Sequence, residues 1–467
     1  MTPANSPDDI TRKNIRRFIA FRTFFNARFY YPVFAILFLE FGLTLSQFAL
    51  LNVVWAVTIV LLEVPSGALA DLMGRRRLLV LASAIMVMEI AILCFAPRSN
   101  PTLLFALFLI NRIFSGAAEA AASGADEALA YDSLVKVGRQ EEWGQVLEAQ
   151  MRYQSAGWIV AMTLGAAVYD PAVMQRVVGF LGFSWELNQS VTLRLPLYLT
   201  LIMAVLALGT TLGMKEVHLE DEEDCLDITQ CGKSVAQAFR LTWEAGGWII
   251  KTPFALVVIL AGMFFDHVIR LILTLDSQYF RLIDLPEATF GIIGSALAVL
   301  GMLAPRLARH LADRHTPRFV TLFQAGLTLI GFIGLTLFIP YAGLIPMVFL
   351  TGVWYLNSFF VSHYLNQVTP SSKRATVLSF RGLSFNLAYG VIGLLYSWLL
   401  AYTRTQVTTG SPGLHETALE NAVFVDAMAW FPWYFAGTMI LLVLAAAWLL
   451  KGRDEYKVVR VSTNNNH

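Results

Sequence analysis

Five arginines fall inside long apolar runs of this chain: Arg22, Arg28, Arg112, Arg270 and Arg381. The main acids that share such runs are Glu40, Glu63, Glu89, Glu119, Asp126, Glu127 and Asp266. A charge held in hydrocarbon is expensive, so it faces protein or water and marks a solute path, a proton relay or a structural pair. Arg112, Glu119 and Asp126 recur every seven residues, which puts them on one helix face with about 20° of drift per step. Gly116 and Ser123 share that stripe. Asp266 and Arg270 are four apart and can pair along one helix. A carboxylate keeps its proton among apolar walls and releases it beside a guanidinium. A site that exchanges one setting for the other loads and unloads a proton. Glu119 with Arg112, and Asp266 with Arg270, are the proton-coupling candidates. Glu119 comes first, because the Asp266–Arg270 spacing favours a permanent pair. The structural alternative for the Arg112 stripe is an ion pair locking its helix to the first one.

Arg28 lies about ten residues into the first run, near the midplane at about 1.5 Å per residue. Asn26, Tyr30 and Tyr31 surround it, and Pro32 can kink the helix and free backbone groups. Arg28 either binds an anionic group or pairs with an acid on the fourth run. Trp354, Asn357 and His363 on one later run, and Asn386 and Tyr389 on another, are cavity-lining types. The substrate-binding candidates are Arg28, Asn26, Tyr31, Trp354, Asn357 and Asn386. His267 reads as a packed residue. Glu63, before Pro65, lines a cavity or caps a kink, and Glu89 has no partner evident in the sequence.

The elements that must hold these residues are membrane helices. Of 467 residues, 57% are hydrophobic and only 14% charged, against about 25% charged in soluble domains. Apolar runs of about 20 residues recur along the chain. We read twelve spans: 18–41, 46–70, 78–97, 102–125, 153–175, 193–214, 252–275, 286–304, 318–339, 343–366, 376–402 and 427–450. Of the 34 Lys and Arg, 24 fall in the alternate connections that begin with the N-terminus, and five in the others. By the positive-inside rule both termini are cytoplasmic. Trp430, Phe431, Trp433 and Tyr434 suit an interfacial belt at the outer start of the last span. The polar start up to Arg17 has no cleavable signal pattern. The net charge of +1 gives no basic field for nucleic acid. Cys94, Cys225 and Cys231 lack metal-ligand spacing, and Cys225 and Cys231, in a segment placed in the cytoplasm, are expected as free thiols. No metal or cofactor is expected. No phosphate-binding loop, zincin helix or nucleophile elbow occurs, so neither an ATP-driven motor nor an enzyme is expected.

The longest inner connection divides the chain into a six-span bundle over 1–215, a linker over 216–251 and a second bundle over 252–467. The linker opens with an acidic run, Glu216 to Asp227. It ends in an amphipathic stretch, Ser234 to Lys251, where Val235, Phe239, Trp243 and Trp248 can lie in the membrane interface. We favour a solvated linker with a short surface helix.

Between spans two and three lies Gly67-Ala-Leu-Ala-Asp71-Leu-Met-Gly74-Arg75-Arg76-Arg77. Gly67 and Gly74 allow a tight turn and close backbone approach. The pattern resembles the motif that joins the second and third helices in the major facilitator superfamily. Leu311-Ala312-Asp313 repeats it between spans eight and nine, with Arg318 matching Arg76, while Gly67 and Gly74 become Arg309 and Thr316. Arg112-Ile-Phe-Ser-Gly116 resembles the superfamily's fourth-helix motif, whose Arg is associated with proton coupling. The resemblance implies an all-α membrane protein of twelve helices in two pseudo-symmetric six-helix bundles. It also implies a gate: Asp71 accepts hydrogen bonds from the start of the eleventh helix, near Arg374, and Arg75 meets Asp126 or Asp132. The fifth span departs from the drug-proton antiporter branch, since Ala156 to Gly165 has glycines but no proline.

The expectation is a secondary active transporter in the cytoplasmic (inner) or plasma membrane. It moves a small organic solute by alternating access, with protons as the coupling ion and sodium as the rival. The solute is anionic if Arg28, Arg112 and Arg270 outweigh Glu119 and Asp266. A monomer is expected. The alternatives are a drug or metabolite efflux antiporter, and a sensor or scaffold that moves nothing.

Overall fold

The computed structural model describes residues 6–216, 246–369, 374–410 and 413–451, together with 236, 239, 240, 243 and 244. Among the described residues the structure is all helical. The helices are α1 (Pro7–Asn26), α2 (Phe34–Phe41), α3 (Leu45–Met73), α4 (Arg75–Phe95), α5 (Pro101–Ala122) and α6 (Ala125–Val135). Then come α7 (Trp143–Tyr169), α8 (Pro171–Phe180), α9 (Gln189–Thr192) and α10 (Leu195–Gly213). After the linker follow α11 (Pro253–Thr274), α12 (Asp276–Leu282), α13 (Phe290–Arg314) and α14 (Pro317–Leu335). The last four are α15 (Leu344–Val368), α16 (Arg374–Gly410), α17 (Glu416–Met428) and α18 (Phe431–Leu449). Among the described residues, ten helices are long and apolar enough to cross a membrane, or eleven if the bent pair Gln140–Tyr169 and Pro171–Phe180 makes one span. The chain is a multi-pass integral membrane protein.

The first expected span, 18–41, is not one helix. α1 stops at Asn26, and the chain is irregular through Tyr30 before α2 begins at Phe34. Pro32 has no N–H to donate. The freed groups find partners inside the protein, as buried irregular backbone must. Phe29 N–H donates to Thr200 Oγ1 at 3.0 Å. Ala35 and Ile36 N–H donate to Ser277 Oγ at 3.1 and 3.4 Å. The fifth span also differs. α7 begins ten residues before the expected 153, and Asp170 caps the start of α8 through the N–H groups of Ala172 and Val173.

Three large cores divide the molecule by height. One core holds Phe18, Ala70, Leu78, Ala130 and Met214 and draws only on the first half of the chain. A second holds Ile249, Ala308, Val320, Leu365 and Val377 and draws only on the second half. Both lie at the end that carries the Gly67–Arg77 turn, here called the basic end. The largest core draws on both halves, from Tyr30, Leu45 and Leu93 to Ile272, Phe290 and Phe424, and fills the opposite end. Polar links cross between the halves there. Leu45 N–H donates to Glu420 at 2.9 Å, Ser46 and Ser397 exchange hydrogen bonds of 2.9 Å, and Arg281 reaches Glu40 at 3.1 Å.

Of the linker, Glu216 is described and the rest of the acidic run, with Cys225 and Cys231, lies outside the described residues. Phe239 and Trp243 are exposed and Trp248 is half-buried, while Val235 lies outside the described residues. Cys94 is buried with a free thiol.

Candidate functional site

The charges of the first half converge between α1, α3, α4 and α5. Arg28 forms an ion pair with Glu89 on α4, and the two side chains are 3% and 0% exposed. Phe25 lies 5.6 Å from the guanidinium, and Asn111 on α5 donates to the Glu89 carbonyl at 2.9 Å. The sequence suggested an acid on the fourth span as this partner. The break after Asn26 takes Arg28 off the face of α1 and removes the basis of that reading. Arg112 is buried without a carboxylate among the described residues. It donates to Asn52 Oδ1 at 2.9 Å and sits 5.4 and 5.5 Å from the rings of Phe34 and Trp55.

Glu119 does not pair with Arg112. It is exposed and has no hydrogen bond or ion pair among the described residues, and the charges of Arg28 and Arg22 act on it. The expected stripe is cut at Ser123, because Gly124 adopts a left-handed φ of 78° and starts a new helix, α6. Asp126 therefore leaves the face of Arg112. It pairs with Arg22 of α1, which also holds Glu127 at 2.9 Å. A lock between the fourth and first spans does exist, but Asp126 and Arg22 make it. Asn26 donates to the Arg22 carbonyl at 2.8 Å on its own helix, and Tyr31 packs 5.6 Å from Trp158.

The second half holds a cavity of about 220 Å³ between α11, α15 and α16, placed from mid-helix toward the basic end. Its wall includes Asp266, Arg270, Trp354, Asn357, Arg381 and Asn386. Asp266 accepts from Trp354 Nε1 at 3.0 Å and pairs with Arg270. Arg270 also donates to Asn386 Oδ1 at 2.9 Å, and Asn357 donates to the Gly262 carbonyl at 3.1 Å. Three of the expected cavity residues, Trp354, Asn357 and Asn386, thus share one wall with the Asp266–Arg270 pair. His267 bonds the Met263 carbonyl and Tyr434 instead, as a packed histidine does.

An aromatic bridge connects the two clusters. Arg270 lies 5.0 Å from the Tyr389 ring, Tyr389 meets Trp55 edge-on at 6.5 Å, and Trp55 faces Arg112. Each cation–π contact is worth about 0.5–2 kcal/mol depending on desolvation. Arg112 and Arg270 therefore reach each other across the halves through rings rather than through a shared acid.

A sequence profile described as Major Facilitator Superfamily matches residues 18–393. The chain belongs to the major facilitator superfamily. Solved structures of the same fold include the nucleoside transporter NupG, at 13% identity and a TM-score of 0.66, covering 95% of this chain and 100% of that one. A bacterial homolog of the human lysosomal transporter Spinster, inward-facing and unoccupied, aligns at 16% identity and a TM-score of 0.65 over 96% and 97%. The D-xylose-proton symporter aligns at 14% identity and a TM-score of 0.58 over 91% and 97%. At these identities the likeness is one of fold alone. A search of curated proteins finds no match.

In this superfamily member the turn between α3 and α4 is held by a residue the sequence did not nominate. Gly74 has φ of 88°, and the Glu216 carboxylate accepts from Arg75 and Arg76 N–H at 3.1 and 2.9 Å. It caps the start of α4, where free N–H groups and the helix dipole favour an anion. Arg75 pairs with Asp132, not with Asp126. In the second copy Thr316 caps its own helix by accepting from Phe319 N–H at 3.4 Å. The second turn therefore needs no outside carboxylate. Gly67 and Asp71 lie within α3, but their side chains, like that of Arg374, lie outside the described residues, and with them the expected Asp71 gate contact. Two further participants were missed. Glu89 is the partner of Arg28, and Arg381 faces the cavity.

Proposed function

We propose that the chain is a secondary active transporter that moves a small organic solute by alternating access. Residues 1–215 and 252–467 act as two bundles that rock about the central charges. The basic end is cytoplasmic, as the 24 Lys and Arg of the alternate connections indicate, and both termini lie there. One observation carries the reading: the halves share a core at one end and keep separate cores at the other, and the second half holds a charged cavity. That arrangement fits a carrier closed toward the outside and open inward. A sensor or scaffold gains nothing from unpaired charges at such depth.

Protons drive the cycle through Glu119. Its carboxylate is exposed and unpaired, with Arg28 and Arg22 as the cations that act on it. Glu119→Gln should abolish accumulation in proteoliposomes under a pH gradient while leaving solute exchange without a gradient intact. Accumulation by the variant would remove Glu119 as the carrier. Uptake by the wild type under a sodium gradient alone would remove the proton.

A further inference from the structure

The cavity wall carries three charges, and two cancel. Asp266 gives one oxygen to Trp354 and the other to Arg270, so its acceptors are engaged. Arg270 is occupied in turn by Asp266, Asn386 and the ring of Tyr389. Arg381 is the third charge. It lines the cavity half-buried, 5.9 Å from the Phe385 ring, and has no hydrogen bond or ion pair among the described residues. Glu63, on α3, lies 4.0 Å from the position of a Cβ built on Gly382, yet it does not bond Arg381. Among the described residues, the remaining polar groups of the wall without a hydrogen bond are the exposed hydroxyl of Ser358, the amide nitrogen of Asn386 and the amide oxygen of Asn357. The wall therefore offers more donors than acceptors and one uncompensated positive charge. A guanidinium at this depth with no ion-pair partner among the described residues, reached only by the charge of Asp266 that Arg270 already pairs, is costly unless something anionic meets it.

We infer that this cavity binds a small carboxylate-bearing solute, with Arg381 holding the carboxylate and Trp354 and Phe385 flanking the body. The planar fork of an arginine suits two carboxylate oxygens at once. The Asn386 amide and the Ser358 hydroxyl supply further donors to the same group. A volume of about 220 Å³ holds roughly seven waters at ~30 Å³ each, which leaves room for a small solute only. The inference deepens the transport reading and rests on it only for the cavity being the solute site.

The test is binding, measured on the full-length protein in detergent by calorimetry. The probes are acetate, benzoate and indole-3-acetate, with benzamide as a neutral isostere and phenyl phosphate as a second anion. At least one carboxylate should bind, and benzamide should bind about tenfold or more weaker than benzoate if benzoate is that ligand. Arg381→Gln should lower carboxylate affinity by a similar factor and leave the unfolding temperature nearly unchanged, since Arg381 has no hydrogen bond or ion pair among the described residues. Arg381→Lys should recover part of the loss. Tighter binding of phenyl phosphate than of every carboxylate would replace carboxylate by phosphate and overturn the class assigned. Absence of binding by all three carboxylates, or equal affinity in wild type and Arg381→Gln, would also overturn it. Accumulation of a neutral solute in proteoliposomes alongside such a failure would leave the transport reading standing.

Discussion

Arg28→Gln should strongly destabilise the protein, and Glu89→Gln introduced with it should restore most of the loss. Arg28 is 3% exposed and Glu89 is 0% exposed, so removal of one partner strands the other away from water. Breaking a buried pair in this way costs about 3–5 kcal/mol, whereas replacing both charges is often near neutral. One Glu89 oxygen already lacks a hydrogen-bond partner, which leaves the stranded carboxylate no ready substitute and places the cost toward the upper part of that range. The coupling term of the double-mutant cycle should therefore be at least about 3 kcal/mol, well beyond the few tenths expected of independent sites. Reversible unfolding by denaturing detergent, followed by tryptophan fluorescence, measures all four corners of the cycle. Additive losses in the two single variants would refute the reasoning, and so would a cost below about 1 kcal/mol for Arg28→Gln.

Two further substitutions test the fold around the site. Gly74→Ala should cost more than about 1 kcal/mol, because its φ of 88° strains any other residue and the new Cβ would lie 2.9 Å from a Glu216 oxygen. Gly138→Ala is the control, with φ of 71° and open space around it, so thermal unfolding should separate the two; equal losses would mean that only the backbone angle matters. Gly291→Ala would drive a methyl group into the Met162 carbonyl across the halves and should hold the end opposite the basic one ajar. A cysteine placed at Ser397 should then react faster with a membrane-impermeant maleimide, and an unchanged rate would contradict the contact.

The topology was legible because membrane helices announce themselves by length and because Gly67, Asp71, Gly74 and the arginines recur at fixed offsets. The intramembrane charges were legible for the same reason, since nothing else in an apolar run competes with them. Their partners were not. Arg28 and Glu89 are 61 residues apart on helices whose rotation depends on every other contact. The seven-residue stripe carried Asp126 onto the face of Arg112 only while the helix continued, and Gly124 ended it. Glu216 was read as the start of an acidic linker, because a cap supplied from the far end of the bundle leaves no local pattern. Arg381 was noticed as a buried charge, but its lack of a partner is a property of three helices together. The Trp354–Asp266 and Asn386–Arg270 bonds gathered residues that had been chosen only by type.

Alternating access requires the closed end to open in every cycle, and Ser46 and Ser397 sit on its two sides with hydroxyl oxygens 3.0 Å apart. In a chain whose native cysteines are replaced, Ser46→Cys with Ser397→Cys brings two thiols close enough for a disulfide. The decisive measurement is uptake into proteoliposomes by this double variant of a solute that raises the unfolding temperature of the purified protein. Oxidation should stop uptake, and reduction should return it to the level of the unlinked protein. Undiminished uptake by the cross-linked protein, or no uptake by the reduced one, would contradict the account.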